Sequence, residues 1–315
     1  MNGLDKVISR IGGALTTARR PSSTIHITSL YISGLRVSPK ERRIKTHFIL
    51  PLEPGIIQPS YGTVNVQDVS ALEKRIGKGL DLLGRNGQSV AFLLPDSCQR
   101  TFVFSFANLP KSKGEREQII KFRVKKQMPM LADDSRLSFS LMPAKDKVRV
   151  VASISRNSVV REYEDILRKL DLRVGVVGVP VLGLFNLGNW PPGKNVLLIN
   201  VEVNSLSLLA VANEDIVLAR QKSSLLPFGG VSSVESHTQI ISQEIDNTVN
   251  FIEDHEQLRI DEVRLRFGQI EGKRDIFEAI KNTLDLEVQE VGSGLDVSLS
   301  SEDREILSPL IGQTL

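Results

Sequence analysis

Short apolar runs of strand length alternate with segments of helical periodicity along most of this 315-residue chain. Val90–Leu94 is a continuous apolar run, as expected of a strand that is covered on both faces. It follows Val69–Leu83, where apolar residues recur at the three- and four-residue spacing of one helix face. Strands that alternate with helices place those helices against the faces of a sheet. The pattern therefore predicts an α/β protein built in layers.

Turn and breaker signals divide the chain into lobes. A hairpin is predicted over Thr24–Val37 with its turn at Ser33-Gly34, and a third strand is predicted over Ile44–Leu50. The breaker Trp190-Pro-Pro-Gly193 marks a boundary between two lobes. A compact unit of strands and helices, with its own α+β pattern, precedes that boundary. We assign 21–96 and 173–192 to the first lobe, 97–172 to an inserted subdomain, and 193–315 to the second lobe, whose final helix is a candidate to pack on the first lobe.

Charge is unevenly distributed along the chain. The formal net charge is +3, but Val231–Leu315 holds 18 acidic and 7 basic residues, so the preceding part is strongly basic. Residues 1–20 combine an amphipathic helical pattern with a basic end, which is typical of a helix on an anionic membrane or of a docking or disordered tail. A basic region of this kind favours a membrane surface, a nucleic acid or an acidic protein as partner, and an uneven but merely solvated surface has the same composition.

The sequence contains few signals of export, membrane insertion or metal chemistry. Its single cysteine, Cys98, cannot form an internal disulfide, which fits a reducing compartment. No run of about 18 apolar residues is present, and the first residues lack the apolar region of a secretory signal. The four histidines and Cys98 lack the spacing of zinc ligands, and no Walker loop occurs. We therefore expect a cytoplasmic protein with no metal site.

Several local signatures follow one another in a specific order. They are Leu94-Pro-Asp-Ser97, Asn108-Leu-Pro110, the helix Gly114–Met130, the strand Val150–Ser153 with the later Val179-Pro180, Leu226-Pro-Phe-Gly-Gly230 ahead of Ile240–Phe251, and the terminal helix Ile306–Leu315. In this combination the chain resembles the family of the type IV pilus assembly protein PilM and the actin-like division protein FtsA. The resemblance extends from about Thr24 to the C-terminus.

The resemblance implies both a fold and a role. The fold is the two-lobed actin-like (ribonuclease-H-like) ATPase fold, with a nucleotide cleft between the lobes and a small α+β subdomain inserted in the first lobe. The implied role is that of a cytoplasmic scaffold, peripheral to the inner membrane, in a type IV pilus or related secretion machine. Such a scaffold holds the N-terminal cytoplasmic peptide of a PilN-like inner-membrane partner and contacts other components of the platform.

The resemblance also shows where nucleotide-binding motifs are expected. In actin-like ATPases, two hairpins carry Asp-x-Gly cores, in which Asp handles Mg²⁺ and Gly lets backbone N–H groups approach the phosphates. These cores align with His26-Ile27-Thr28 and Asn200-Val201-Glu202, and a later Gly-Gly adenosine turn aligns near Arg266–Gln269, where only Gly268 remains. Both aspartates are replaced, and the Glu202 carboxylate would repel a phosphate. We expect a non-catalytic protein without cofactor; the alternative is a nucleotide-binding regulatory or polymerising protein.

The segment Lys113–Gln127 is the strongest functional cluster outside that cleft. An apolar stripe is predicted to pack on a sheet; its members are Ile119, Ile120 and Phe122, with Val124 as a further candidate. Acidic lipid headgroups or an acidic partner would suit its basic face. A nucleic-acid-binding module is a further alternative, but a Gly-x-x-Gly clamp and stacking aromatics on a strand are missing, so nucleic acid is not expected. The basic face comprises Lys113, Arg116, Lys121, Arg123, Lys125 and Lys126.

The resemblance implies a groove in which an extended partner peptide is held by backbone pairing and apolar pockets. We expect this groove to lie between the inserted subdomain and the first lobe. Its candidate contacts are Phe122, Met128 and Met130, which stand near the end of the basic helix.

Overall fold

A computed structural model describes residues 21–38, 43–84, 89–144, 147–223, 233–268, 270–284, 286–291 and 299–315. Within these ranges, the chain forms two five-stranded sheets and one three-stranded sheet. The predicted N-terminal segment 1–20 and the Leu226–Gly230 motif lie outside the described residues. None of the described helices is long and apolar enough to cross a membrane.

The strands in chain order are β1 (Ser23–Ile27), β2 (Tyr31–Val37), β3 (Ile44–Pro51), β4 (Ser89–Leu93), β5 (Gln99–Phe106), β6 (Ser135–Ala144), β7 (Lys147–Arg156), β8 (Arg173–Gly178), β9 (Asn195–Glu202), β10 (Ser205–Ala212), β11 (Asp215–Ser223), β12 (Glu262–Phe267) and β13 (Glu287–Glu290). The helices are α1 (Val69–Leu83), α2 (Lys113–Gln127), α3 (Asn157–Lys169), α4 (Pro180–Leu187), α5 (Val234–Phe251), α6 (Lys273–Leu284) and α7 (Ser301–Thr314). A 3₁₀ turn occupies Asp96–Cys98, and a π-helical turn at Ile252–Glu256 follows α5.

The two large sheets share one topology. The first has the order β3-β2-β1-β4-β8 and the second the order β11-β10-β9-β12-β13. In the first sheet, β1, β2 and β3 pair antiparallel, and β4 and β8 run parallel to β1. In the second sheet, β9, β10 and β11 pair antiparallel, and β12 and β13 run parallel to β9. This repeat gives the β1–β2 hairpin of one sheet and the β9–β10 hairpin of the other equivalent positions.

Apolar side chains of α1 and α3 cover one face of the first sheet. Leu72 of α1 and Tyr163 of α3 are fully buried with Phe92 of β4 in one cluster. The sequence interpretation placed α3 in the inserted subdomain 97–172, because it follows β7 directly in the chain. By packing, however, α3 belongs to the first sheet, since periodicity reveals that a helix face is buried and not which sheet buries it.

The predicted turn at Ser33-Gly34 was wrong. Strands β1 and β2 are joined by residues 28–30, with Ile27 opposite Ile32, so Ser33 and Gly34 lie inside β2. Glycine suits this position because the ring of Phe48 on β3 occupies the place where a Cβ would stand. Glycine in a strand can thus reflect close packing by a neighbouring side chain, although the same residue is also common in turns.

The three-stranded sheet has the order β5-β7-β6 and is formed by residues 99–156. Helix α2 covers one face with Ile120 and Val124, which pack with Phe104 and Val150. On the opposite face, Met142 and Val151 pack in a core that they share with α4 and the second sheet. Helix α2 and the second sheet therefore lie on opposite sides of this small sheet.

Helix α7 follows the second sheet in sequence but packs on the first. Leu307 and Leu310 are buried with Leu35 of β2 and Leu93 of β4. Helix α7 also crosses α4 so closely that neither Gly183 of α4 nor Gly312 of α7 has room for a Cβ. The two lobes are thus joined by a helix that spans their boundary.

Candidate functional site

Two hairpins and a 3₁₀ turn meet between the large sheets. The β1–β2 hairpin turns at residues 28–30, and the β9–β10 hairpin turns at Val203-Asn204. Residues of the Asp96–Cys98 turn line the same space, whose volume is about 20 Å³. A volume of this size admits about one water molecule. Among the described residues, little space is therefore left where the two hairpins and the 3₁₀ turn meet.

Thr28 closes the first hairpin with its own side chain. Its hydroxyl donates to the carbonyl of Tyr31 at 3.0 Å and accepts the N–H groups of Leu30 and Tyr31 at 3.3 and 3.0 Å. A glycine at this place would leave those N–H groups free for a ligand. In this chain, the N–H groups of Leu30 and Tyr31 both donate to the Thr28 hydroxyl.

Arg266, at the end of β12, is the centre of the site. Its side chain is fully buried between the two sheets and α7. A guanidinium has five N–H donors, and here all of them are used. The acceptors are Asn200 Oδ1 at 3.0 Å, Glu202 Oε1, Tyr31 Oη at 3.0 Å, and the carbonyls of Glu305 and Ile306, both at 3.0 Å. No donor of Arg266 remains for a bound anion.

The Arg266 network links both lobes through Tyr31 and Glu202. The Tyr31 hydroxyl accepts from Arg266 and donates to Glu202 Oε1 at 2.9 Å. Burial raises the pKa of Tyr31 above its usual range, so the phenol stays neutral. Burial alone would lower the pKa of Arg266, but Tyr31 and Glu202 beside it raise the pKa above its ordinary value. The result is a charged, fully hydrogen-bonded guanidinium in the interior.

Asn200 extends the network to the 3₁₀ turn. Its side-chain amide donates to Asp96 Oδ2 at 2.7 Å while its oxygen accepts from Arg266. The side chain of Gln221 on β11 donates to the backbone carbonyl of Asp96. Burial, and secondly the charge of Glu202, raise the pKa of Asp96 to about 7. We therefore expect Asp96 to change charge near neutral pH.

His26 and Gly268 complete the environment of the network. His26 is buried edge-on to Tyr31, and burial followed by the charge of Arg266 lowers its pKa to about 3. The imidazole is therefore neutral near pH 7, and its Nδ1 has no hydrogen-bond partner among the described residues. Gly268 is buried against the Glu202 carboxylate, which fills the place of a Cβ.

The aligned nucleotide positions thus lie around one cleft, although their roles differ from the sequence interpretation. Glu202 was interpreted as a charge that repels phosphate, and in the structure it pairs with Arg266. Sequence reasoning missed Arg266, Tyr31 and Asp96 as members of the network. The acidic partner that a buried arginine needs is Glu202 on the neighbouring strand β9, and no local sequence signal identifies that pairing.

The partner-binding candidates lie on and after α2. Phe122 is 61% exposed and Met130 is 90% exposed, whereas Met128 is half-buried. Ile120 and Val124 alone form the buried stripe of α2, so the predicted inclusion of Ile119 and Phe122 was wrong. The two extra residues are apolar but face outward, because the helix turns about 100° per residue.

Most of the predicted basic face is exposed. Arg116 is the exception, since it precedes Ile120 by one helical turn and is half-buried on the inner face. The Nε atom of Arg116 is buried without a partner among the described residues. The exposed members are Lys113, Lys121, Arg123, Lys125 and Lys126.

The fold can be compared with known proteins. No protein-family model matches the chain, and no curated protein matches it in sequence. The solved PilM-PilN type IV pilus biogenesis complex superposes with a TM-score of 0.73 at 17% identity, covering 94% of this chain and 97% of that chain. A Bacteroides thetaiotaomicron protein described as having an actin-like ATPase fold and unknown function gives a TM-score of 0.56 at 10% identity, with 100% and 99% coverage.

A third solved structure is the cytoplasmic domain of EpsL, an inner membrane component of the Vibrio cholerae type II secretion system. It gives a TM-score of 0.51 at 12% identity, with 92% of this chain and 93% of that chain covered. These likenesses confirm the predicted fold class and the predicted resemblance. The chain has the actin-like ATPase fold and is similar in structure to PilM.

Proposed function

We propose that this chain is a non-catalytic scaffold at the inner membrane, in a type IV pilus or a related secretion machine, that holds the N-terminal cytoplasmic peptide of a PilN-like partner. The observation that carries the proposal is the Arg266 network, which occupies the space between the two hairpins. In an actin-like ATPase, that space belongs to the nucleotide phosphates.

The residues of the cleft do not fit a magnesium nucleotide. Such a ligand needs free backbone N–H groups, and Thr28 uses those of its own turn. It also needs carboxylates free to bind Mg²⁺ and its waters, whereas Glu202 is paired with Arg266 and Asp96 accepts from Asn200. The Arg266 guanidinium could attract a phosphate, but all five of its N–H groups already donate within the protein. This mismatch supports a binding role over a catalytic one.

Two structural neighbours belong to pilus biogenesis or secretion machinery. One is a PilM-PilN complex, and the other is the cytoplasmic domain of an inner-membrane secretion component. In our proposal, this chain takes a corresponding place and binds an extended apolar segment near the end of α2. Met130 is nearly fully exposed there, Met128 is half-buried, and Phe122 lies on the adjoining helix face. Flexible methionine side chains adapt well to a peptide partner.

Nucleotide binding tests the first half of the proposal. Purified protein is heated with and without Mg-ATP or Mg-ADP, and its melting temperature is measured, with a nucleotide-binding actin-like protein as positive control. We expect no shift, since a ligand stabilises a protein only if it binds the folded state. A saturable shift at micromolar nucleotide would contradict the non-catalytic assignment.

Peptide capture tests the second half. The probe is the cytoplasmic leader of an inner-membrane protein that has one N-terminal transmembrane helix and is encoded beside this chain. We expect the immobilised leader to retain the protein in detergent solution without lipid, and Met128→Ser with Met130→Ser to weaken retention by about tenfold or more. Leu82→Ser is the matched control, because Leu82 is an exposed apolar residue of α1. Equal retention of all variants would contradict this peptide site.

A further inference from the structure

The outward face of α2 presents an aromatic side chain among cations. Phe122 is 61% exposed, and Lys125 and Lys126 follow it by three and four residues, so the three side chains are neighbours. The Lys126 Nζ atom lies 4.8 Å from the centre of the Phe122 ring. The cation and the ring therefore form one continuous surface.

Phe122 belongs to none of the hydrophobic clusters formed by the described residues. The inner side of α2 is already covered by the small sheet through Ile120 and Val124. On the outer side, Ile119 is 38% exposed and precedes Phe122 by three residues, which extends the apolar strip along α2. Met130, just beyond the helix, is 90% exposed. Large exposed apolar side chains gathered on one surface indicate an interaction site.

The cations of this face lack acidic partners within the described part of the chain. Ion pairs there are formed by other basic residues, such as Lys169 with Glu73 and Lys222 with Glu244, and none includes a cation of α2. The exposed lysines and Arg123 are therefore available to an external anionic surface.

Helix α2 and the C-terminal part of the chain carry opposite net charges. Helix α2 lies on one side of that sheet, and the second sheet packs on the other. Val231–Leu315, which supplies much of the second lobe, holds 18 acidic and 7 basic residues. An anionic plane would thus attract α2 and repel the opposite lobe, which orients the whole molecule.

We propose that the outward face of α2 docks on an anionic lipid surface. Phe122 enters the headgroup level, Lys121, Lys125 and Lys126 contact lipid phosphates, and the acidic lobe faces the solvent. An exposed aromatic side chain between lysines on a helix surface combines the apolar and cationic groups that the headgroup level of an anionic membrane accepts. The inference goes beyond the proposed function, because it requires no protein partner.

Vesicle sedimentation tests the docking. The full chain is mixed with phosphatidylcholine vesicles, with and without about 30% phosphatidylglycerol, and the bound fraction is measured. We expect binding only to the anionic vesicles, weakened by salt, and a loss of about tenfold or more in affinity for Lys125→Glu with Lys126→Glu. The matched control is Lys74→Glu with Lys78→Glu on α1, which changes net charge equally at exposed positions.

Three results would overturn this proposal. They are an absence of binding to anionic vesicles, an equal loss in both charge-reversed proteins, and a loss in neither. The basic N-terminal residues are present in every variant, so they do not affect the comparison. Binding of an acidic peptide or of nucleic acid through α2, without any vesicle binding, would assign the face to that class and equally overturn the proposal.

A fluorescent reporter tests the depth of Phe122. The chain has one tryptophan, the buried Trp190, so Phe122→Trp adds a single exposed indole. We expect its emission to shift to the blue on anionic vesicles, while Leu82→Trp on α1 stays unchanged. An unshifted Phe122→Trp emission at full vesicle binding would overturn the insertion. Loss of leader capture by Phe122→Ala, with vesicle binding intact, would place Phe122 in the peptide site and likewise overturn it.

Discussion

Arg266 and Glu202 form a buried ion pair where the two sheets of the protein meet. Arg266 is fully buried, and the side chain of Glu202 is 10% exposed. Taking two charges out of water costs several kcal/mol per ion, and the pair is stable only with good additional hydrogen bonds. Tyr31, Asn200 and two carbonyls of α7 supply them. The pair is thus a structural junction between the lobes.

Removal of the guanidinium should strongly destabilise the protein. Arg266→Met leaves Glu202 as a buried, unpaired carboxylate, and we expect the free energy of unfolding to fall by about 3–5 kcal/mol. Urea unfolding measures this change. The control is Arg168→Met, which removes an exposed pair with Asp165 and should cost less than about 1 kcal/mol.

A double-mutant cycle separates the ion pair from general packing effects. Glu202→Gln in the Arg266→Met background removes the unpaired charge, so the double variant should be more stable than the sum of the single losses predicts. A coupling of about 2 kcal/mol is expected. Strict additivity would show that the two side chains contribute independently, contrary to the contacts described above.

Stability should depend on pH through Asp96. The folded pKa is raised from 3.8 to about 7, so between these values the folded state binds more protons than the unfolded state. Stability contributed by this group is therefore greatest at low pH and falls as pH rises toward 7. Asp96→Asn cannot ionise but retains an oxygen that can accept from Asn200. We expect this variant to gain stability relative to the native protein as pH rises from about 4.5 to 8.

Melting temperatures of the two proteins across this range measure the effect. Other groups, including the buried His26, titrate in both proteins and cancel in the difference. A constant difference between the two melting temperatures at every pH would contradict a raised pKa at Asp96.

The crossing of α4 and α7 should not tolerate an added methyl group. In Gly183→Ala and Gly312→Ala, the new Cβ meets a backbone carbonyl of the other helix, which cannot rotate away. We expect each change to lower the free energy of unfolding by about 1–3 kcal/mol. Gly114→Ala in α2 is the control, since its Cβ has space and alanine favours a helix. Urea midpoints in which all three variants match the native protein would refute the close crossing.

Cys98 should resist thiol reagents in the folded protein. It is fully buried, its sulfur lies 2.9 Å from Asn65 Oδ1, and burial raises its pKa to about 12. The reactive form is the thiolate, which is scarce at pH 8. We expect labelling only when urea unfolds the chain, whereas Ser138→Cys on an exposed part of β6 should react at once. Rapid native labelling of Cys98 would contradict its burial.

Local patterns predicted most elements of the fold correctly. The α1 periodicity and the apolar run of β4 depend on near neighbours in sequence, and both elements are present where expected. The errors concern distant contacts. Gly34 was interpreted as a turn residue because nothing local reveals the Phe48 ring above it. Helix α3 was assigned by chain proximity, although its apolar face packs on the first sheet.

The sequence predicted where the candidate site lies, but it did not predict the hydrogen-bond network around Arg266. His26, Thr28, Asn200 and Glu202 lie beside local hairpins, so an alignment placed them near one another. Arg266 was not recognised, because an arginine alternating with apolar residues in β12 also fits a strand with one face in solvent. Its burial results from contacts with distant residues, namely Tyr31 and the carbonyls of Glu305 and Ile306.

The acceptors of Arg266 also set an order of events during synthesis. The carbonyls of Glu305 and Ile306 lie 39 and 40 positions further along the chain. A ribosome adds about 5–20 residues per second. Glu305 and Ile306 are therefore synthesised some seconds after Arg266. The strands of both sheets have been synthesised by then, so we expect the lobes to close around Arg266 after the two sheets have begun to form.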